Sequence, residues 1–303
     1  MKALRRALLA WYAMFGRASL PWRTSRDPYF TLVSEFMLQQ TQVDRVVPKF
    51  EAFVARFPDV RSLAGASTAD VLRAWQGLGY NSRALRLQQA ARAVVERFAG
   101  ELPRDLQALL SLPGIGPYTA AAIRAFAFDE CEAPLDTNIR RIVHRVFFGI
   151  EYPEKARYAE LDERARAMVP ADAAHDWNSA LMDLGAAICT ARAPKCALCP
   201  LVAHCVTAPV DAAALETARR EYGKKRSPQN AVPFERTNRY ARGRIIDALR
   251  TLAPGRRISL LDLHGDLASL LPDRSLEDVR ALVATLERDG LVAVDGVAVA
   301  LSE

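Results

Sequence analysis

The chain has 303 residues, half of them hydrophobic, enough to bury a sizeable core in two or three domains. Its net charge of +6 is concentrated in residues 1–232, with 31 basic and 24 acidic side chains against 10 and 11 in residues 233–303, a balance suited to a polyanionic partner. No apolar run reaches membrane-spanning length, and four of the five cysteines crowd between Cys189 and Cys205, where a secreted disulfide framework would spread them out, so a cofactor site and a reducing cytoplasm are expected.

The N-terminus mimics a signal peptide in its basic start and apolar run. However, Leu4, Leu8, Trp11 and Phe15 fall on one helical face with Arg6 and Arg17 off it, which predicts an amphipathic helix of the fold. Pro21-Trp22-Arg23 and Asp27-Pro28 mark a loop. Pro28 then starts a helix through Gln40, and another is expected over 44–56, broken by Phe57-Pro58. Ser67-Thr68-Ala69-Asp70 reads as a capping box leading into residues 71–75. Gly77-Leu78-Gly79-Tyr80 is a tight loop before a long helix, Ser82 to Phe98, ended by Gly100 and Pro103.

Leu106, Leu109, Leu110 and Leu112 form an apolar stripe broken by Pro113. Gly114 and Gly116 flank Ile115, and Pro117 opens a second helical pattern. Glycine permits left-handed angles and leaves room above the main chain, and proline is preorganised for a first helical turn. Such a hairpin points free N–H groups outward as a seat for phosphate; an ordinary helical corner is the plainer alternative. Helices are expected over 137–147, 153–168 and 176–189, then a cysteine loop, then a linker over 211–232. Residues 233–303 read as helix, turn at Pro254-Gly255, short helix, helix from Ser275 to Arg288, and two apolar runs around Asp295-Gly296. The last is a β-hairpin signal, and the whole suggests a small winged-helix-like module.

Three groups carry chemistry. Cys189, Cys196, Cys199 and Cys205 give C-x6-C-x2-C-x5-C, a ligand set for zinc or a four-iron cluster. Structural zinc more often pairs two C-x2-C knuckles, and only one is present. Cys131 lies outside the set. Glu35 has Leu32 and Leu38 at i−3 and i+3 and Phe36 beside it. A carboxylate among apolar side chains loses hydration, which raises its pKa and suits it to act as a general acid. The alternative is a surface glutamate on an amphipathic helix. Asp136 is placed to cap the helix starting at Thr137.

From Trp11 to about Cys205 the chain resembles the adenine DNA glycosylases (MutY-type) of the helix-hairpin-helix, endonuclease III superfamily. The likeness rests on Ser34-Glu35-Phe36-Met37-Leu38-Gln39-Gln40-Thr41, Gly-Leu-Gly-Tyr at 77–80, the hairpin, Leu135-Asp136-Thr137-Asn138, and the cysteine spacing behind Met182-Asp183-Leu184-Gly185-Ala186. It implies that Glu35 protonates the departing base and that Asp136 faces the sugar C1′, stabilising the oxocarbenium-like species, with Asn138 positioning them. Two carboxylates flanking a scissile glycosidic bond is the general glycosidase arrangement. Tyr118 stands where bifunctional relatives carry a Schiff-base lysine, so strand cleavage is not expected. Gln40, Leu78 and Tyr80 would contact DNA, with Gln40 and Tyr80 entering the base stack as the target nucleotide turns out. Gly114 and Gly116 would bind the backbone, and Trp22, Arg23, Leu38 and Ser179 would line the base pocket. A [4Fe–4S] cluster would occupy the cysteine loop.

The departures are specific. Ser179 replaces the Gln or Glu that often reaches toward adenine. Asp136-Thr137-Asn138 replaces the commoner Asp-Gly-Asn, and Asn81 follows Tyr80 where a second tyrosine is frequent. Residues 233–303 are too short for the nucleotide-hydrolase-like domain that reads 8-oxoguanine in well-studied members. The expected architecture is mainly α-helical: a helical domain over 20–133 and a cluster domain from 1–19 and 134–210, with Glu35 and Asp136 facing across the cleft, followed by the C-terminal module. The expected function is removal of adenine opposite 8-oxoguanine or guanine in double-stranded DNA, by a monomer in the cytoplasm at the nucleoid. Two alternatives stay open: the same chemistry on thymine or uracil opposite guanine, and a noncatalytic DNA-binding or redox-sensing protein.

Overall fold

A computed structural model describes residues 1–151, 157–224 and 232–303. In chain order, the first helices are α1 (Lys2–Phe15), α2 (Pro21–Thr24), α3 (Pro28–Leu38), α4 (Val43–Arg56), α5 (Val60–Gly65), α6 (Thr68–Ala74) and α7 (Ser82–Arg97). There follow α8 (Leu106–Leu110), α9 (Pro117–Ala127), α10 (Thr137–Phe147), α11 (Tyr158–Met168), α12 (Ala174–Ala187), α13 (Ala212–Lys224) and α14 (Asn238–Arg250). Strand β1 (Ile258–Ser259), α15 (Leu260–Leu267), α16 (Leu276–Arg288), β2 (Val292–Asp295) and β3 (Ala298–Leu301) complete the chain.

Most expected helices form close to their expected bounds, because caps and prolines set them. The differences are local. Pro21-Trp22-Arg23 is not loop but the short α2, with Pro21 at its first position. An additional helix, α5, starts at a capping box: Asp59 accepts from the Ser62 N–H, and the Ser62 hydroxyl accepts from the Asp59 N–H. Ser67 does cap a helix, but α6 begins at once with Thr68. The stretch expected as a linker carries α13, while the basic run from Lys225 onward, and the expected helix start at Pro153, lie outside the described residues.

The chain divides into two compact units. The first holds residues 1–31, 104–110 and 115–229, and the second residues 32–103, 111–114 and 230–303. In the first, Leu4, Leu8 and Tyr12 of α1 join Ile139, Ile142, Val143 and Val146 of α10 and Trp177, Leu181 and Leu184 of α12 in one core. Each such side chain contributes roughly 1.5–3 kcal/mol when fully buried, which fixes the start of α10, where Asp136 sits. The buried face of α1 differs from expectation. Tyr12 is buried, whereas Phe15 is 66% exposed, since 4, 8 and 12 keep strict i, i+4 spacing and 15 falls off that line.

The second unit packs α4 to α7 around Phe50, Phe53, Leu63, Leu72, Trp75 and Leu87, with the Phe53 and Trp75 rings edge to face at 5.9 Å. Its C-terminal part has the winged-helix order: helix, strand, two helices, hairpin. The antiparallel sheet runs β1-β3-β2, and Gly296 takes the positive φ that the hairpin turn needs. This module belongs to the same compact unit as α4–α7. Arg250 of α14, 9% exposed, donates from Nε to the Leu72 carbonyl (2.9 Å) and from Nη2 to Asn81 Oδ1 (2.7 Å).

Candidate active site and nucleic-acid interface

Glu35 lies in α3 among Leu32, Val33, Phe36 and Met37, all buried, and is itself 6% exposed. Leu38, the last residue of α3, is half-buried. What holds this end of α3 is a residue that sequence reasoning passed over. Arg83, in the first turn of α7 and 6% exposed, donates from Nη1 to the carbonyls of Phe36 (2.8 Å), Met37 (3.1 Å) and Gln39 (2.6 Å). From Nη2 it reaches the carbonyls of Leu78 (3.0 Å) and Gly79 (3.3 Å) and the Thr41 hydroxyl. One guanidinium thereby satisfies the orphan carbonyls at a helix C-terminus and ties the Gln40 loop to the Gly-Leu-Gly-Tyr loop. Burial lowers its pKa to about 10, leaving it cationic at neutral pH.

Both expected stack-entering residues have left-handed backbone: Gln40 at φ 56° and Tyr80 at φ 46°. Non-glycine residues rarely occupy this region, and a bulky one does so under strain. Gln40 is exposed and Tyr80 half-buried, whereas Leu78 between them in the expected contact set is 4% exposed. Gly77 and Gly79, at φ 89° and 70°, give the loop its turn.

Within the hairpin the two glycines differ. Gly114 has φ 76°, and a Cβ there would meet Arg86 Cβ at 2.9 Å and Phe36 Cζ at 3.1 Å. The hairpin therefore presses on the residue next to Glu35 through a contact only glycine permits. Gly116 is extended, has open space where a Cβ would go, and caps α9 without a side chain. Pro117 lies at the first position and Tyr118, half-buried, at the second.

Asp136 caps α10 as expected: Oδ1 accepts from the Ile139 N–H at 2.7 Å. Its Oδ2 accepts from Asn138 Nδ2 at 3.0 Å. Asn138 Oδ1 in turn accepts from Arg141 Nη2 at 2.8 Å, and the same guanidinium bonds the carbonyls of Gly185 and Cys189 at 2.7 Å each. Gly185 lets α12 come this close, since a Cβ there would fall 2.5 Å from Asn138 Cβ. Burial raises the Asp136 pKa, against the lowering pull of its hydrogen bonds and of Arg141. Arg141, a step from the cysteine loop, escaped the sequence reading because an arginine on an amphipathic helix reads as a solvated face.

Trp22, Arg23 and Ser179 all fall in the first unit. Trp22 is buried and Ser179 is fully buried in α12. Arg23 is committed to Asp183, with Nη1 2.8 Å and Nη2 3.2 Å from its two oxygens. Arg17 takes the same carboxylate from its own N–H and guanidinium. Burial alone would raise the Asp183 pKa, but these two arginines outweigh it and hold the carboxyl below its ordinary value.

The four loop cysteines are half-buried and perturb one another's ionisation. Burial first, then the neighbouring thiols, push Cys199 up to about 11, with Cys205 raised for the same reasons. Arg145 Nη1 stands 3.5 Å from Cys189 Sγ, and Cys205 Sγ is 3.2 Å from the Arg145 carbonyl. Four thiols gathered where ionisation is resisted form a donor set that a cationic centre would relieve. Among the described residues no three His, Cys, Asp or Glu side chains converge as for a single metal ion.

A model of the HhH-GPD superfamily of base excision DNA repair proteins matches residues 33–171. An adenine DNA glycosylase of Mycolicibacterium smegmatis is 41% identical over 245 residues, spanning 80% of this chain and 79% of its own length. Another, from Mycobacterium tuberculosis, is 37% identical over 296 residues, 95% of this chain and 92% of that one, so the likeness reaches into the C-terminal module. Among solved structures, a thermostable thymine-DNA glycosylase matches with TM-score 0.62 and 33% identity, covering 68% of this chain and 94% of its own. With its hairpin, helix-capping aspartate and buried glutamate, the chain belongs to the adenine DNA glycosylases of the HhH-GPD superfamily.

Proposed function

We propose that this chain hydrolyses the N-glycosidic bond of adenine mispaired with 8-oxoguanine or guanine, as a monomeric and monofunctional glycosylase of the nucleoid. Glu35 donates a proton to a ring nitrogen of the base as the C1′–N bond breaks and its electrons pass to the base. Asp136 stays ionised and stabilises the positive charge developing on the sugar. Water then adds at C1′ and gives up a proton, which returns Glu35 to its acid form. The observation that carries this reading is the Asp136 network. One carboxylate oxygen is committed to the cap and the other is held by Asn138, itself held by Arg141, an anion kept in one orientation at a helix N-terminus.

Gln40 and Tyr80 are the wedges in this reading, supported by their strained backbone. The hairpin N–H groups at Gly114 and Gly116 take phosphate. Trp22, Leu38 and Ser179 line the base pocket, with Arg23 as a support bound to Asp183. Tyr118, a phenol, forms no Schiff base, so the sugar is left on an intact strand. Cys189, Cys196, Cys199 and Cys205 would hold a [4Fe–4S] cluster, supported by their spacing in the chain and by the electrostatic influence they exert on one another; when bound, it would cross-link the loop as a structural centre.

The test is single-turnover excision on duplexes carrying adenine, thymine or uracil opposite guanine, and adenine opposite 8-oxoguanine. Adenine should be released from both adenine mispairs, and Glu35→Gln should lower that rate by about 10²–10⁴ or more while mismatch binding persists. Native-rate excision by Glu35→Gln would overturn the assignment. A second reading, thymine excised opposite guanine, is supported by the 33% identity to a thymine-DNA glycosylase and would appear as thymine release in the same panel.

A further inference from the structure

One buried carboxylate takes no part in the reaction as proposed, yet it anchors a residue assigned to the base pocket. Asp183 lies in the third turn of α12. Its side chain is 3% exposed and accepts from five donors. Three belong to Arg17: the main-chain N–H at 2.8 Å, Nε at 2.8 Å and Nη2 at 2.6 Å. Two belong to Arg23: Nη1 at 2.8 Å and Nη2 at 3.2 Å. One side chain thereby joins the segment after α1, the short α2 and α12.

The two arginines are not equivalent. The Arg17 side chain is 41% exposed, so water screens its charge, whereas that of Arg23 is 7% exposed. A guanidinium does not give up its proton, so a buried one needs a fixed counter-charge. Among the described residues that counter-charge for Arg23 is Asp183. The pairing is also directional. It engages Nη1 and Nη2 and leaves the Nε edge of the fork without a protein acceptor among the described residues. Asp183 stands four residues after Ser179, on the same face of α12. It therefore bonds one residue assigned to the base pocket and shares a helix face with another.

We propose that Asp183 is a positioning residue for the base pocket, acting through Arg23: it holds the guanidinium by its end, turns the Nε edge toward the departing base, and cancels a positive charge that would oppose the reaction. The proposal rests on the mechanism given under the proposed function and on Arg23 bordering the pocket. In that mechanism the base gains a proton and the sugar becomes cationic as the bond breaks. An uncompensated guanidinium in a low-dielectric pocket disfavours both. Ser179 is too short to reach the base as a glutamine or glutamate would, which leaves more of its orientation to Arg23.

The experiment is a double-variant cycle in the full-length chain, on whichever mispaired base the native protein releases. Single-turnover rates are measured against protein concentration, which separates the saturating rate from duplex binding. The chains compared are the native one, Asp183→Asn, Arg23→Met, the double variant and Arg17→Met. Asp183→Asn keeps the shape without the charge and should lower the saturating rate about tenfold or more, with half-saturation unmoved. In the Arg23→Met background the same change should slow excision by about twofold or less, because the residue it acts through is gone. Arg17→Met removes the solvated partner and should lower the melting temperature, yet leave the saturating rate within about twofold of native. If Asp183 serves only to hold the fold, Asp183→Asn slows both backgrounds by the same factor, and Arg17→Met slows excision as much as Arg23→Met. Either result overturns the proposal, as does native-rate excision by Asp183→Asn. Should Asp183→Asn fail to fold, the comparison of Arg17→Met with Arg23→Met decides. Release of thymine in place of adenine by the native chain overturns the adenine reading alone, and the cycle run on thymine still decides this proposal.

Discussion

Two aspartates in this chain are perturbed in opposite directions, with opposite consequences. Burial raises the Asp136 pKa. Its folded-state value therefore exceeds the unfolded one, and the stability it contributes in acid is lost as pH rises through the raised value. Catalysis needs the charged form, so excision should fall on the acid side at a pH above the ordinary aspartate range. Asp136→Asn keeps a good cap and removes the desolvated charge. At pH 7 the variant should melt at or above the native temperature while excising at least about a hundredfold slower, since charge stabilisation dominates such steps. The stability difference should close below pH 4 or so, where both side chains are neutral. Asp183, held low by Arg23 and Arg17, has the reverse sign: it stabilises above the ordinary value and loses that contribution as pH falls through its depressed one. Tyr118 is tested by borohydride. The native chain should trap no covalent DNA complex, and Tyr118→Lys is expected to introduce trapping and strand cleavage; efficient trapping by the native protein would refute the monofunctional reading.

At the scale of elements, α3, its following turn and the Gly-Leu-Gly-Tyr loop are held together by Arg83, whose three nearest bonds there are 2.6, 2.8 and 3.0 Å long. Arg83→Met fills the space but leaves several buried carbonyls without donors, each costing about 1–3 kcal/mol. Urea unfolding should show a loss of about 3 kcal/mol or more. Arg83→Lys, with one ammonium for two loops, should fall between. A second element-level joint is Asn138 against Gly185. Gly185→Ala would drive a methyl into the Asn138 side chain, so it should slow excision by displacing the Asp136 network, with phosphate binding little changed.

For the whole molecule, the proposed cluster predicts a brown protein containing iron and sulfide, and stoichiometric zinc without iron would refute it. Cys199→Ser should lose that colour and melt lower. The C-terminal module is not a pendant domain. Arg250 bonds Leu72 and Asn81, and Arg73 bonds the Leu252 carbonyl. Substitutions in α14 should therefore be felt in the Tyr80 loop. Arg250→Ala should destabilise the chain by about 2–3 kcal/mol or more through the carbonyl and amide it leaves unmet.

Much of this protein is legible in its sequence because much of it is local. The cap at Asp136, the proline starting α9, the Ser275 capping box and the Asp295-Gly296 hairpin each involve partners within a few residues, so spacing alone reveals them. The family is also local in form, a matter of short motifs in order. What tertiary structure alone decided are the partners far apart in the chain. Arg83 and Arg141 sit on helices like ordinary charges and are instead joints, Arg83 buried and Arg141 half-buried, each bonded to carbonyls far away in the sequence. Gly185 reads as one small residue in a helix, yet it sets how closely α12 approaches Asn138. The C-terminal module reads as separate and docks beside the Tyr80 loop. A guanidinium can serve water or six protein acceptors equally well, and only the folded chain determines which of them surrounds it.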